Sequence, residues 1–265
     1  MRLLPFLSAL SMIALGCGAP PEPAPAPAPE ASTGEEAEAV PAGQQMWHHF
    51  WDIIKARDAV IGARLGDVNA PMSRIASGEF GMDVPPDWMN WIEDMQAQAK
   101  KGASPASLSE AAVAVSTVAG ACADCHRTTG GGPKLEGDTR GYKPDGTGLS
   151  EAMARHAWAA EELWLGMTAP RHEAWMRGAT ALASMELPQD EPPLGAEPPA
   201  EAAAEGEAAE PPAPAPETSP LWQDLEKMRA LGKRAEQAGQ PAEKTAVYAE
   251  MLAQCAGCHA AAGFE

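Results

Sequence analysis

Residues 108–126 have the sequence LSEAAVAVSTVAGACADCH, an apolar stretch that ends in Cys122-Ala123-Asp124-Cys125-His126. Residues 241–259, PAEKTAVYAEMLAQCAGCH, repeat the arrangement and end in Cys255-Ala256-Gly257-Cys258-His259. Strand-like alternation is not evident in either stretch, whereas apolar residues recur at helical spacing. The sequence therefore predicts the same kind of terminal helix twice, each with Cys-x-x-Cys-His at its end.

The Cys-x-x-Cys-His motif is typical of covalent c-type haem attachment, because two thiols capture the vinyl groups while the imidazole meets the iron. The two motifs account for four of the five cysteines, and the fifth is Cys17. A four-thiolate zinc site would need both pairs to come together across more than a hundred residues, and would leave both histidines unexplained. Zinc binding and thioredoxin-like redox chemistry remain the alternatives, and two covalent haem c groups are the expectation.

The N-terminal residues 1–17 form a predicted targeting segment. Arg2 is followed by an apolar run that is too short to span a membrane, and Gly16 precedes the lone Cys17. This arrangement resembles the lipobox of bacterial lipoproteins, in which the cysteine is lipidated and becomes the mature N-terminus. An ordinary secretory peptide is the alternative. The expected location is the periplasm or cell envelope, with a lipid anchor on a bacterial membrane.

The formal charge of −18 is concentrated in two segments. Fourteen of the 37 acidic side chains lie in residues 18–42 and 186–219, which are rich in Pro, Ala and Glu and contain no Lys or Arg. Such segments are predicted to be disordered linkers, and the first could hold the folded part up to about 75 Å from its anchor. Because a basic footprint is missing, nucleic-acid binding is not expected.

The chain aligns with itself at two offsets. A shift of 133 residues superimposes both cysteine motifs and the 31 residues before them, including Met95 on Met228. A shift of 107 residues pairs three further positions: Met46, His49 and Trp51 with Met153, His156 and Trp158. The difference matches an insertion at about 188–219, so each repeat is predicted to be one helical unit.

Four helical segments are predicted in the first unit, over about 44–65, 67–77, 87–101 and from Leu108 into the motif. Ser107 with Glu110 fits a capping box, Gly102 and Gly239 fall between the last two helices of each unit, and Thr168 is predicted to cap a helix. The fold class is thus all-α, a tandem pair of small four-helix bundles, each with a C-terminal haem site. The eight tryptophans, four per unit, are expected to pack in the cores around the haem.

The predicted organisation runs through the whole chain. It comprises the signal segment 1–17, a disordered tether 18–42, haem bundle 43–127, a Gly-rich linker 128–148, and a second haem bundle 149–265 with the insertion at about 188–219.

A motif at the end of each bundle resembles the class II c-type cytochromes, the cytochrome c-prime group, in which the fourth helix carries the haem. The resemblance covers both units and rests on this layout together with Cys-x-x-Cys-His. It implies thioether anchors at Cys122, Cys125, Cys255 and Cys258, with His126 and His259 as proximal iron ligands. It also places the start of the first helix of each unit beside the distal face of the iron.

Three distal arrangements remain open. His49 and His156 would give bis-histidine coordination, Met46 and Met153 would raise the reduction potential, and an open site would bind small gases. Each His lies three residues after its Met and therefore on the same helical face.

The leading hypothesis is a membrane-tethered dihaem cytochrome that is not an enzyme and passes single electrons between redox partner proteins. The alternative is a five-coordinate cytochrome that binds nitric oxide or carbon monoxide. A dihaem peroxidase is the third hypothesis, and the near-equivalence of the two units argues against it.

Overall fold

The computed structural model describes residues 42–78, 84–130, 132, 149–185 and 220–263. These residues form eight helices, and no strand occurs in these ranges. The helices are α1 Ala42–Ile61, α2 Asn69–Ser77, α3 Met89–Lys101, α4 Leu108–Thr129, α5 Leu149–Thr168, α6 His172–Ala183, α7 Pro220–Gln237 and α8 Pro241–Ala262, with short 3-10 turns at Leu65–Asp67 and Pro86–Trp88. The all-α prediction is confirmed.

Helix starts and stops follow local chemistry. The backbone N–H of Glu110 donates to Ser107 Oγ at the start of α4, and Glu243 accepts from the N–H groups of Gly239 and Gln240 before α8. Gly130, with φ of 66°, ends α4 in the left-handed conformation that terminates many helices. Helix α4 therefore extends two residues into the predicted linker 128–148.

Two local predictions are wrong. Helix α1 ends at Ile61 rather than near residue 65, because the chain leaves the helix through Ala63, whose φ is 57°. Thr168 does not cap α6: it is the last residue of α5, and its hydroxyl donates to the Trp164 carbonyl at 2.8 Å. Arg171 occupies the N-cap position of α6 instead.

Within each half of the chain, every helix packs against the next. Helices α1 to α4 pack in sequence and α1 also contacts α4, while α5 to α8 do the same and α5 contacts α8. The buried residues of α1 and α5 correspond at the offset of 107, for example Ile53 with Ala160 and Val60 with Met167. The duplicated sequence thus gives two similar packing arrangements.

The two halves also pack against each other. Helix α4 contacts α8 extensively, and α1 contacts α8 as α5 contacts α4. A Cβ placed on Gly120 of α4 would lie 2.8 Å from Thr245 Oγ1 of α8, so a larger residue there would crowd the contact. All eight helices belong to one compact unit. The two halves are therefore docked against each other.

A buried cluster lies where the halves meet. Arg57 of α1 is 5% exposed, and its guanidinium is 2.6 Å from Glu161 of α5 and 5.1 Å from the centre of the Trp164 ring. Trp164 in turn contacts Tyr248 of α8, with ring centres 5.6 Å apart. Since Arg57 and Trp164 are equivalent positions at the offset of 107, the contact joins matching points of the two repeats.

The tryptophan prediction holds only in part. Trp164 and Trp175 are buried in the core, as predicted, and Trp175 donates its indole N–H to the Ala235 carbonyl at 2.8 Å. Trp47 and Trp51 of α1 are instead 56% and 52% exposed.

One helix in the described ranges, α4, has the length and apolar composition of a membrane span. Its packing against α3 and α8 accounts for much of that apolar surface. The segments 1–17 and 18–41, with Cys17, and the insertion 188–219 lie outside the described residues, as does most of the linker 128–148.

Candidate functional site

The two cysteine motifs occupy the last turns of α4 and α8. Their four cysteines are free thiols, of which Cys255 is 3% exposed and the others are partly buried. Burial raises the pKa of Cys122 and of Cys255 to about 12, with a smaller contribution from the second cysteine of each motif. Reactive redox cysteines have a lowered pKa, so this finding disfavours thioredoxin-like chemistry.

The two motifs lie at opposite ends of the α4–α8 pair. Gly120 faces Thr245. Burial lowers the pKa of the Lys244 amine, and Arg127 is close enough to lower it further. Helices α4 and α8 are therefore antiparallel, and at 1.5 Å per residue the motifs are about 20–30 Å apart along the pair. A zinc site formed from both thiol pairs is incompatible with this separation.

His126 in the first motif is held by the other half of the chain. Its Nδ1 lies 2.7 Å from the carbonyl oxygen of Thr168 at the end of α5. A carbonyl only accepts, so Nδ1 carries the proton and Nε2 keeps a free lone pair. Burial lowers the pKa of His126, and the bond to the Thr168 carbonyl partly opposes that shift. The tautomer is the one that a metal ligand bound through Nε2 requires.

His156 lies beside the second motif. Its Nε2 is 3.5 Å from Cys255 Sγ, although 99 residues separate the two in sequence. Burial, with a smaller contribution from nearby His259, lowers the pKa of His156 to about 4. The structure therefore brings together three of the residues that the sequence predicts for the second site: His156, Cys255 and His259.

His49, the counterpart of His156, packs against Gly78 at the end of α2. A Cβ on Gly78 would lie 2.4 Å from the His49 ring, so only glycine fits there without displacing the imidazole. Burial lowers the pKa of His49, Asp52 opposes this shift, and His48 adds to it.

Contacts between successive antiparallel helices place His49 level with the first motif. Arg74 of α2 contacts Asp52 of α1, Gln96 of α3 donates to the Gly78 carbonyl, and Met95 of α3 contacts Cys122 of α4. The start of α1 and the end of α4 thus lie at the same end of the first half. The methionine candidates Met46 and Met153 are half-buried, and Met153 packs against the core.

Met95 is a residue of the first site that sequence reasoning did not assign. Its Sδ lies 3.6 Å from Cys122 Sγ, and the side chain is 6% exposed. The available signal was its identity with Met228, which is also buried. That identity indicated duplication without indicating which helix faces the motif.

Across the described residues, no group of three or more His, Cys, Asp and Glu side chains is placed to bind a metal ion. A haem iron takes only axial ligands from the protein, so a haem site does not need such a group.

A groove with a volume of about 740 Å³ lies along the α4–α8 contact and is lined by Gly120, Thr245 and Lys244. Ala123 and Asp124 of the first motif also line it, but none of the motif cysteines does. We therefore place the candidate site at the motif cysteines and not in this groove.

No protein-family model, no curated protein and no solved structure matches this chain.

Proposed function

We propose that this chain is an exported dihaem c-type cytochrome that transfers single electrons. In this proposal it is a tandem pair of small four-helix bundles resembling the cytochrome c-prime group. The observation that carries it is the second site, where His156 of the first helix of the repeat lies 3.5 Å from Cys255 of its last helix. A histidine there is suited to the distal side of an iron whose proximal ligand is His259.

The residues at both motifs fit covalently attached haem. Cys255 is buried and Cys122 is partly buried, and both pack with the core, where a porphyrin joined by thioethers would add to a small apolar interior.

Each residue then has a defined task. Cys122, Cys125, Cys255 and Cys258 hold the porphyrins, His126 presents Nε2, and the surrounding helices exclude water. The haem iron supplies the redox chemistry by changing its valence by one electron. No catalytic residue is assigned, and the chain is proposed to be a carrier and not an enzyme.

Cys17 is the proposed lipidation site, which would hold the protein on a bacterial membrane within the periplasm or cell envelope. With the motifs about 20–30 Å apart along α4 and α8, the two haems would reach different faces of the molecule. Separate redox partners could then deliver and remove electrons.

Haem content tests the proposal directly. The mature protein from a host that matures c-type cytochromes should contain two haems per chain by pyridine haemochrome assay. Replacing the cysteines of one motif, by Cys122→Ser with Cys125→Ser or by Cys255→Ser with Cys258→Ser, should leave one. A protein without covalent haem would contradict the proposal.

Electron paramagnetic resonance tests the distal ligands. The oxidised protein should show low-spin iron, and His156→Ala and His49→Ala should each convert one of the two haems to a high-spin or altered low-spin signal. If neither substitution changes the spectrum, the histidine assignment is wrong, with Met46 and Met153 the remaining candidates.

A five-coordinate, gas-binding first haem is the second candidate. It is favoured by Met95 of α3, whose Sδ lies 3.6 Å from Cys122 Sγ, whereas in the second site the neighbour of Cys255 Sγ is His156. Carbon monoxide should then change the absorption spectrum of the reduced first haem. A reduced protein indifferent to carbon monoxide would exclude this candidate.

A further inference from the structure

Three aromatic rings form an exposed patch on α1. Trp47 and Trp51 are 56% and 52% exposed, and their rings stack with centres 6.3 Å apart. Phe50 packs edge-on against both, at 5.6 Å from Trp47 and 6.3 Å from Trp51. The other large hydrophobic side chains exposed in the described ranges, Met89 and Val113, lie on other helices. We call Trp47, Phe50 and Trp51 the aromatic patch.

The aromatic patch faces away from the candidate haem site. At 100° per residue, the two indoles point about 120–160° away from His49 and Ile53. Ile53 is 2% exposed and His49 packs against Gly78, so their side of α1 is the one that faces the bundle. A haem bound on that side would not cover the two indoles.

The second repeat lacks the aromatic patch. At the offset of 107, Trp47 and Phe50 correspond to Ala154 and Ala157, and only Trp51 has a tryptophan counterpart. That counterpart, Trp158, packs against the core. Since both repeats carry a haem motif, haem binding does not require the patch. It serves something particular to the first half of the molecule.

The first half is the part joined to the N-terminal segment. Helix α1 begins at Ala42, and only 24 residues separate it from Cys17. Residues 42–51, AGQQMWHHFW, contain no Asp, Glu, Lys or Arg, although the chain as a whole carries a charge of −18. Tryptophan is enriched at membrane–water interfaces, where its ring is amphipathic.

We propose that the aromatic patch docks the folded protein onto the lipid headgroup region of the membrane that anchors it. This inference rests on the lipid anchor at Cys17 that is part of the proposed function. Because the start of α1 is level with the first motif, docking holds His126 and its haem on the membrane side. The second motif, at the other end of α4–α8, then faces away from the lipid.

Vesicle flotation tests the docking without the lipid anchor. The mature chain from residue 17 onward, with Cys17→Ser so that no lipid is attached and without the apolar leader, is mixed with phosphatidylcholine vesicles, which carry no net charge and so do not repel this acidic protein. We expect it to float with the vesicles, and Trp47→Ala with Trp51→Ala to lower its partition coefficient about tenfold, equivalent to about 1.4 kcal/mol. Met89→Ala with Val113→Ala, the matched exposed apolar control, should change it less than about twofold.

Fluorescence supplies a second measurement, which requires no substitution in the aromatic patch. Brominated phosphatidylcholine should quench part of the tryptophan emission of the Cys17→Ser chain, because the indoles of the patch enter the lipid. Unquenched emission, absence of flotation, or equal flotation of the patch and control variants would each overturn the inference. Conversion of a dimer to a monomer by the patch substitutions, without loss of flotation, would also overturn it in favour of a contact between two copies.

Haem content is measured on the same samples to separate the two proposals. A chain that floats through the patch but lacks covalent haem would refute the dihaem function and leave the docking intact. A chain that carries two haems but does not float would refute the docking and leave the dihaem function intact.

Discussion

His156 is the residue whose environment most constrains its chemistry. It is a neutral imidazole enclosed beside Cys255 and His259, with its pKa lowered to about 4 by burial. Since a histidine in an unfolded chain titrates near 6.5, the unfolded state binds the proton more readily than the folded state. Protonation of His156 therefore destabilises the folded state.

A pH dependence of stability follows from this difference. In the haem-free protein this residue alone should lower the free energy of unfolding by about 3 kcal/mol as the pH drops from 6.5 to 4, and His49 and His126, whose pKa values burial also lowers, should add to the fall. His156→Gln should reduce the fall by about 3 kcal/mol, and the same substitution at exposed His172 should not. Urea unfolding at several pH values provides the measurement, and an unchanged slope in His156→Gln would contradict the prediction.

Close contact between helices depends on a few glycines. A Cβ on Gly178 of α6 would lie 2.6 Å from the Ala159 carbonyl oxygen and 2.9 Å from the Leu163 backbone nitrogen, both in α5. Backbone atoms cannot rotate away as a side chain can, so the two helices would have to separate. Around Gly257 of α8, by contrast, nothing lies within 4 Å.

These two glycines make a matched pair for alanine substitution. Gly178→Ala should lower the free energy of unfolding by about 2 kcal/mol through overpacking, as measured by chemical denaturation. Gly257→Ala should raise it by up to about 1 kcal/mol, because alanine is the better helix former. Haem attachment should survive Gly257→Ala, since Asp124 occupies that position in the first motif. Equal effects of the two substitutions would show that α5 and α6 are not in such close contact.

At the scale of the whole molecule, the two repeats are joined across α4 and α8 and by the buried contact of Arg57 with Glu161 and Trp164. Removing one partner of a buried ion pair lowers the free energy of unfolding more than removing one partner of an exposed pair does. The halves should therefore unfold together.

Arg57→Met tests this connection. The substitution leaves Glu161 without its buried cation and should lower the free energy of unfolding by about 2–3 kcal/mol, with both halves still melting in one transition. Arg74→Met is the control, because Arg74 pairs with Asp52 at the surface and is 52% exposed; its cost should be below about 1 kcal/mol. Two separate transitions in the parent protein would show that the halves fold independently.

The helices themselves could be predicted from the sequence because their signals are local. Most helix positions were predicted correctly from the capping box of Ser107 with Glu110, the breaks at Gly102 and Gly239, and the duplication of apolar positions. The error at Thr168 arose because a threonine before a proline can end one helix as readily as it can begin the next.

The sequence by itself determined the all-α class, the duplicated unit and the two motifs, since each depends on residue types at fixed spacings along one helix. Only the tertiary structure decided that His156 meets Cys255, that His126 donates to the Thr168 carbonyl of the other repeat, and that Met95 lies beside Cys122. It also decided that Trp47 and Trp51 are exposed while Trp164 and Trp175 are buried. The physical reason is that these contacts join residues 27 to 99 positions apart, and helical periodicity indicates that a face is buried without indicating which helix covers it.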